Sequence, residues 1–323
     1  MDVPVTGTEG SPYAKAKSWQ TDLNYRHQMS HRHFVGSEEQ TDRAADSSEV
    51  VNHINLLDLT VRYNISPRMS LSAGIPWFIA SRSNPIRDST RTVIGRSVTH
   101  ADSPSDTGLT FRRWMRNPDS CKNGNFSLGF GIKAPTGVSD HQDVRTTFAN
   151  GRLVSATVPV DQSIQPGDGG WGFTLEATGF RRFGRSVGYA SGSYLFNPQQ
   201  ENGTDRGGND PNTRFYSIPD QYLARIGVAM PVWKFISGSI GGRLEGVPSG
   251  DAFGGNRGFR RPGYAISVEP GLVFRHGRSA LSVDVPVALY RNRTRSFADR
   301  ANGGHGDAAF ADYFLIFGFS RLF

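Results

Sequence analysis

About twelve runs of this 323-residue chain alternate apolar and polar residues with period two, and most of them reach the length of a bilayer-spanning strand. Side chains of a strand point to opposite faces in turn. Each run therefore has one greasy face and one polar face. A tilted strand needs about 9–11 residues to cross hydrocarbon, whereas strands of soluble proteins cluster near 5–6 residues. The last run, Ala311–Phe323, puts Tyr313, Leu315, Phe317, Phe319 and Phe323 on one parity, with Asp312, Gly318 and Ser320 on the other. Phe314, Ile316 and Leu322 blur that second face. No stretch of eighteen apolar residues exists, so a transmembrane helix is excluded.

The other runs fall near Ser18–Gln28, Val51–Ile65, Arg68–Ala80, Thr107–Met115, Asn125–Ala134, Trp171–Arg182, Ser186–Phe196, Gln221–Val232, Lys234–Gly246, Gly263–His276 and Ala280–Arg291. The seventh, Ser186–Phe196, alternates least clearly, which leaves the count open by two. Links between runs alternate in length. Short links (Ser66-Pro67, Asn117–Gly124, Gly184-Arg185, Trp233-Lys234, Gly277-Arg278) follow even runs. Long links (Met29–Val50, Ser81–Asp106, Pro135–Gly170, Asn197–Asp220, Val247–Pro262, Asn292–Ala308) follow odd ones. Hydrocarbon offers no partner to an open sheet edge, so spanning strands must close on themselves. The expected fold is an all-β, up-and-down antiparallel transmembrane barrel of about twelve strands, with six long outer loops and both termini on the short-turn, periplasmic side. Residues 1–16 are expected to form a periplasmic tail and 17–323 the single barrel domain. The last strand should pair with the first, bringing Trp19 and Tyr25 against Tyr313, Phe317 and Phe319. The soluble alternative, a β-sandwich, does not require such alternating links.

Mean hydropathy is −0.44, which a barrel tolerates because lumen positions dilute lipid-facing ones. The net charge is +7. The arginines are scattered singly, which argues against nucleic acid, because that partner needs a clustered basic face. Cys121 is the only cysteine, so no intrachain disulfide can form. Residues Met1 to Tyr13 carry no apolar leader core, so the export signal of such a barrel is expected outside this sequence.

The polar parity carries charges of both signs: Asp22, Arg26, Asp58, Arg62, Arg112, Lys133, Glu176, Arg225, Arg243, Glu269 and Asp284. These are the candidate lumen residues. They either select a solute along a polar pathway or pair across the lumen and rigidify it. The longest link, Pro135–Gly170, is the candidate for an inward-folded constriction, with Asp143, Arg145 and Asp161 meeting the lumen charges; the competing reading is a mobile outer loop. His27, His31 and His33, with Glu38 and Glu39 nearby, lack the spacing of a closed metal site. Gly167–Gly170 and Gly207–Asp210 lack the spaced oxygens of a calcium loop and read as turns. No Ser stands in a G-x-S-x-G setting, so no catalytic residue, metal or cofactor is assigned.

Three segments carry a family resemblance: Gly129-Phe130-Gly131-Ile132-Lys133-Ala134-Pro135-Thr136-Gly137, the run Trp19–Tyr25 leading into Ser30–Gln40, and Ser70–Trp77. With them the chain resembles the bacterial outer-membrane barrels called phenol-degradation-pathway transporters, and its closing strand resembles theirs except at Arg321. The resemblance implies an outer-membrane pore for passive diffusion of small solutes, hydrophobic or aromatic compounds among them. It also implies outer-membrane lipid as surroundings, and an assembly machinery that reads the strand ending in Phe323. The alternative is a closed structural barrel whose long loops meet a partner protein at the surface.

Overall fold

The computed structural model describes residues 13–323. Among them, twelve antiparallel strands close into one barrel. In chain order they are β1 Ser18–Val35, β2 Val51–Asn64 and β3 Met69–Arg87; then β4, formed by Val93–Pro104 and Thr107–Trp114; then β5 Gly124–Ala134, β6 Gly172–Phe183, β7 Ser186–Phe196 and β8 Gln221–Trp233. They continue with β9 Ile236–Val247, β10 Gly263–His276, β11 (Ser279–Asp284 and Val287–Asn292) and β12 Ala308–Leu322. Each strand pairs with its sequence neighbour, and β12 closes on β1 from Gln20↔Leu322 to Phe34↔Ala308. Short and long links alternate as expected except between β3 and β4, where only residues 88–92 separate the two strands, and β7 is regular over eleven residues.

The outward face is apolar all round. Ile75 is 53% exposed, Phe130 48%, Ile226 68% and Leu272 57%. A soluble monomer does not tolerate an encircling patch of this kind, whereas lipid buries it. Aromatic residues rim both ends. Trp19, Phe183, Trp233 and Phe323 lie outward near the short turns, and Trp77, Trp171 and Tyr313 towards the long loops. Phe314 turns inward and is 8% exposed, which explains why the parity of the last run looked blurred.

Four expectations need correction. Ser81–Asp106 is not a loop: β3 and β4 continue past the apolar band as a hairpin, paired from Trp77↔Pro104 to Arg87↔Val93. Outside hydrocarbon nothing forces outward positions to be apolar, so this extension left little hydropathy signal. β1 likewise runs on to Val35. β11 is broken at Val285-Pro286, where proline cannot donate to the ladder. At the seam Tyr25 stacks on Phe317, with ring centroids 6.4 Å apart. Trp19 instead packs on Tyr63 at 4.8 Å, and Tyr313 sits opposite Val287 of β11.

The long links are structured. The first holds a short helix, Asp42–Ala45, and the last another, Phe297–Ala301, with a capping box from Ser296 and Asp299. Pro135–Gly170 contains a hairpin, Gln142–Ala149 with Arg152–Pro159, followed by a 3-10 turn at Gln162–Ile164.

Candidate functional site

The polar parity of β1, β8, β9, β10 and β11 meets inside the barrel as a belt of charges. Glu269 accepts from Arg225 and, at 3.2 Å, from Arg243. Arg243 also reaches Glu245 at 2.6 Å, and Arg26 reaches Glu245 at 3.5 Å. β1 and β9 stand four places apart in the ring, so that last pair spans the lumen. Arg225 lies 4.0 Å from Asp284, and the guanidinium of Arg26 lies over the Phe314 ring at 4.2 Å. Each glutamate sits between two guanidiniums, which is what a buried carboxylate needs to offset its lost hydration.

Arg112 donates to Glu176 at 2.7 Å across β5. Gly129 makes that reach feasible. A Cβ there would stand 3.1 Å from the Glu176 carboxylate and 3.2 Å from its Cβ. Tyr189 lies in the same way across Gly227, where a Cβ would fall 2.5 Å from its hydroxyl. Arg62 lies 3.9 Å from Asp22, and Asp58 accepts from the Thr60 hydroxyl at 3.2 Å.

Lys133 is placed elsewhere. At the loop end of β5 it holds Asp106 at 3.2 Å, Asp168 and the Gly170 carbonyl at 2.8 Å. Of the eleven residues read from the sequence, the belt gathers Arg26, Arg225, Arg243, Glu269 and Asp284. Glu245 was missed, although it shares the parity of Arg243.

The inward part of the longest loop forms a second closure. Val160 and Ile164 are buried against Ala80 and Ala101 of the β3–β4 extension. Asp161 lies 3.5 Å from Arg82 of β3 and accepts a two-pronged pair of bonds from Arg261 at 2.7 and 2.8 Å. Arg261 leads into β10, five places from β3 round the ring, so this carboxylate ties two walls across the loop end. Tyr216 donates to the Val160 carbonyl at 2.8 Å, and Gln162 donates to Ser217 at 2.8 Å. Burial opposes the charge on Asp161, yet Arg261 and Arg82, with the Ser163 N–H, hold its carboxyl far below the usual range. Burial, and then the Asp161 charge, push the Tyr216 hydroxyl up to about 12.

Asp143 accepts from the His100 N–H at 2.7 Å, and the Thr146 N–H of the same hairpin donates at 2.9 Å to Ser97, which is buried on the parity of Ala101. His27, His31 and His33 do not converge. His33 binds Asp307 at 2.8 Å and accepts from the Val50 N–H at 2.8 Å, while His27 meets Asn55 at 2.8 Å.

Between the belt and the short turns lies a cavity of ≈ 600 Å³. Asp22, Arg26, Asp58, Arg62, Arg112, Arg225, Arg243 and Asp284 line it, joined by Arg68, Arg275 and Arg278 from near the short turns. Tyr13 reaches its edge, packed on Trp114 at 5.2 Å and on Phe180 at 6.1 Å. Its hydroxyl donates to the Cys121 carbonyl at 2.7 Å.

No family model matches the sequence, and no curated protein matches it. Solved structures do resemble it. An outer-membrane channel from Pseudomonas putida F1 superposes with a TM-score of 0.59 at 14% identity, over 98% of this chain and 100% of that one. The translocator domain of the autotransporter NalP from Neisseria meningitidis gives 0.50 at 9% identity, over 98% and 90%. The Pseudomonas putida toluene transporter TodX gives 0.50 at 8% identity, over 99% and 98%. The fold is that of bacterial outer-membrane barrels.

Proposed function

We propose that this chain is an outer-membrane channel through which small solutes diffuse passively. The observation that carries the reading is the cavity of ≈ 600 Å³ inside a closed barrel, lined by the polar parity of its strands. A purely structural barrel of twelve strands has no need to keep such a volume open and polar. The Pseudomonas putida channel and TodX, the latter named for toluene, share the fold and support a solute-uptake role for small aromatic compounds. In this reading both termini face the periplasm, the five long links and the β3–β4 hairpin face outward, and the strand ending in Phe323 is the segment that the assembly machinery reads. Asp22, Arg26, Asp58, Arg62, Arg112, Glu176, Arg225, Arg243, Glu269 and Asp284 line or brace the pathway, and Lys133 anchors the loop closure.

The test is conductance in planar bilayers, for the natural chain and for a variant with Arg112, Arg225 and Arg243 changed to glutamine. A conductance altered by the three substitutions supports the reading; a silent barrel with no solute flux in liposomes refutes it. A second reading has its own observation: Arg26–Glu245 and the Asp161 clamp both cross the lumen, as in a permanently closed barrel that displays its loops to a protein partner. That reading predicts no flux under any voltage and capture of the barrel by its partner through the loops.

A further inference from the structure

The chain ahead of β1 turns into the barrel. Lys17 has a φ of +56°, in the left-handed region that a lysine enters only when its surroundings hold it there. Its N–H donates to the Asn64 carbonyl of β2 at 2.7 Å, and the Ser18 hydroxyl donates to the Lys15 carbonyl at 2.6 Å. At the other end of this segment, Tyr13 lies against a different part of the wall. Its ring stands edge-on to Trp114 of β4 and Phe180 of β6, and those two rings stand edge-on to each other at 5.8 Å. Asn125 of β5 donates to the Tyr13 hydroxyl at 3.0 Å, and that hydroxyl donates to the Cys121 carbonyl. β4, β5 and β6 stand three to five places round the ring from β1. Trp114 faces the chamber, as do Tyr13 and Ala14, so the segment crosses inside the short-turn mouth rather than beneath its rim.

We propose that residues 13–17 form a strap across the short-turn mouth of the chamber, with Tyr13 as its releasable pin. The biological use rests on the channel reading, in which the strap controls passage between chamber and periplasm. Its two ends are held differently. At Lys17 the chain runs into β1, whose ladder is paired on both sides, so that end stays fixed. At Tyr13 the hold is one side chain, through ring contacts and hydrogen bonds that are individually weak. The mouth opens to water, which replaces the bonds that the Tyr13 hydroxyl gives up; the backbone of a spanning strand has no such substitute. Swinging the ring out of the Trp114–Phe180 corner also releases the left-handed turn at Lys17. The strap can therefore open while the barrel stays closed on itself.

The test reads access to the chamber in the intact, detergent-folded barrel. Cys121→Ser removes the natural thiol and leaves the backbone carbonyl that Tyr13 uses. Ser282→Cys then places one thiol on the chamber wall of β11, on the parity of Asp284. N-ethylmaleimide should modify that thiol about tenfold or more faster when Tyr13→Ala is added, as expected for losing ring contacts and hydrogen bonds together. Tyr13→Phe, which keeps the ring and loses the hydroxyl, should fall between. Arg91→Cys in place of Ser282→Cys puts the thiol at the tip of the β3–β4 hairpin, and its rate should not respond to Tyr13→Ala. Equal rates at the chamber position with and without Tyr13→Ala would overturn the proposal. So would equal acceleration at both positions, which marks a barrel loosened as a whole. Planar bilayers separate the strap from the channel. A barrel that is silent there but shows the difference in rate refutes the channel and supports the strap. A conducting barrel with no difference in rate refutes the strap and supports the channel.

Discussion

Asp161→Asn isolates the clamp at the loop end. Asparagine keeps the shape of the side chain and the cap on the Gln162–Ile164 turn, where Asp161 accepts from the Ser163 N–H at 3.0 Å. What it removes is one negative charge between two guanidiniums. Side-chain exposures of 18% for Asp161, 10% for Arg82 and 24% for Arg261 place the cluster between a surface pair and a fully buried one. A surface pair contributes about 0–1 kcal/mol, and breaking a buried one costs about 3–5 kcal/mol. The closed arrangement should therefore lose about 2–3 kcal/mol. At about 1.4 kcal/mol per tenfold, the ratio of open to closed shifts by about thirty- to one-hundred-fold. Arg82 retains Asn52 at 2.9 Å and Ser163 at 3.1 Å, so it does not collapse into the gap. Single-channel recording reads the open fraction directly. Adding Arg261→Gln to the variant removes one of the stranded cations, and closure should recover in part. Records of D161N that superpose on those of the natural chain, with the barrel folded, would refute the clamp.

Three other outcomes follow. Asp161 has a folded pKa well below its unfolded value, so its contribution is fully present above the usual carboxylate value of about 4 and is lost only as pH falls towards the depressed one; the open fraction should stay flat between about pH 8 and about pH 5, and a rise in that window would count against the assignment. Gly129→Ala makes the Glu176 side chain give by a few tenths of an ångström beneath its bond to Arg112 and should cost about 1 kcal/mol, read as a lower midpoint of heat-induced unfolding on gels. Deleting Phe323 should lower the folded fraction in the outer membrane severalfold while leaving refolding in detergent unaffected; equal folded yields in cells would remove its assembly role.

Much of the barrel was legible because lipid imposes the pattern. Between the two aromatic rims every outward position must be apolar, and the sequence shows it as period two. Beyond the rims the constraint ends. The β3–β4 extension is regular strand, yet Ser81–Asp106 reads as loop because Arg82, Asn84, Arg96 and His100 stand where hydrocarbon would forbid some of them. The break in β11 was hidden for the opposite reason: Val283, Val285 and Val287 keep perfect alternation across a proline that interrupts the ladder.

The sequence alone determined a closed barrel of about twelve strands and its sign-mixed lumen, because each is set by local spacing against a fixed solvent. Only the tertiary structure decided which charges meet. Glu245 and Arg26 are 219 positions apart, and their 3.5 Å contact depends on how strands four places apart face one another across the lumen. Asp161 and Arg261 are 100 positions apart, and their pairing depends on how a loop folds across the mouth. Such contacts leave no periodic trace in one chain. They arise from the curvature of the closed sheet, which no single strand encodes.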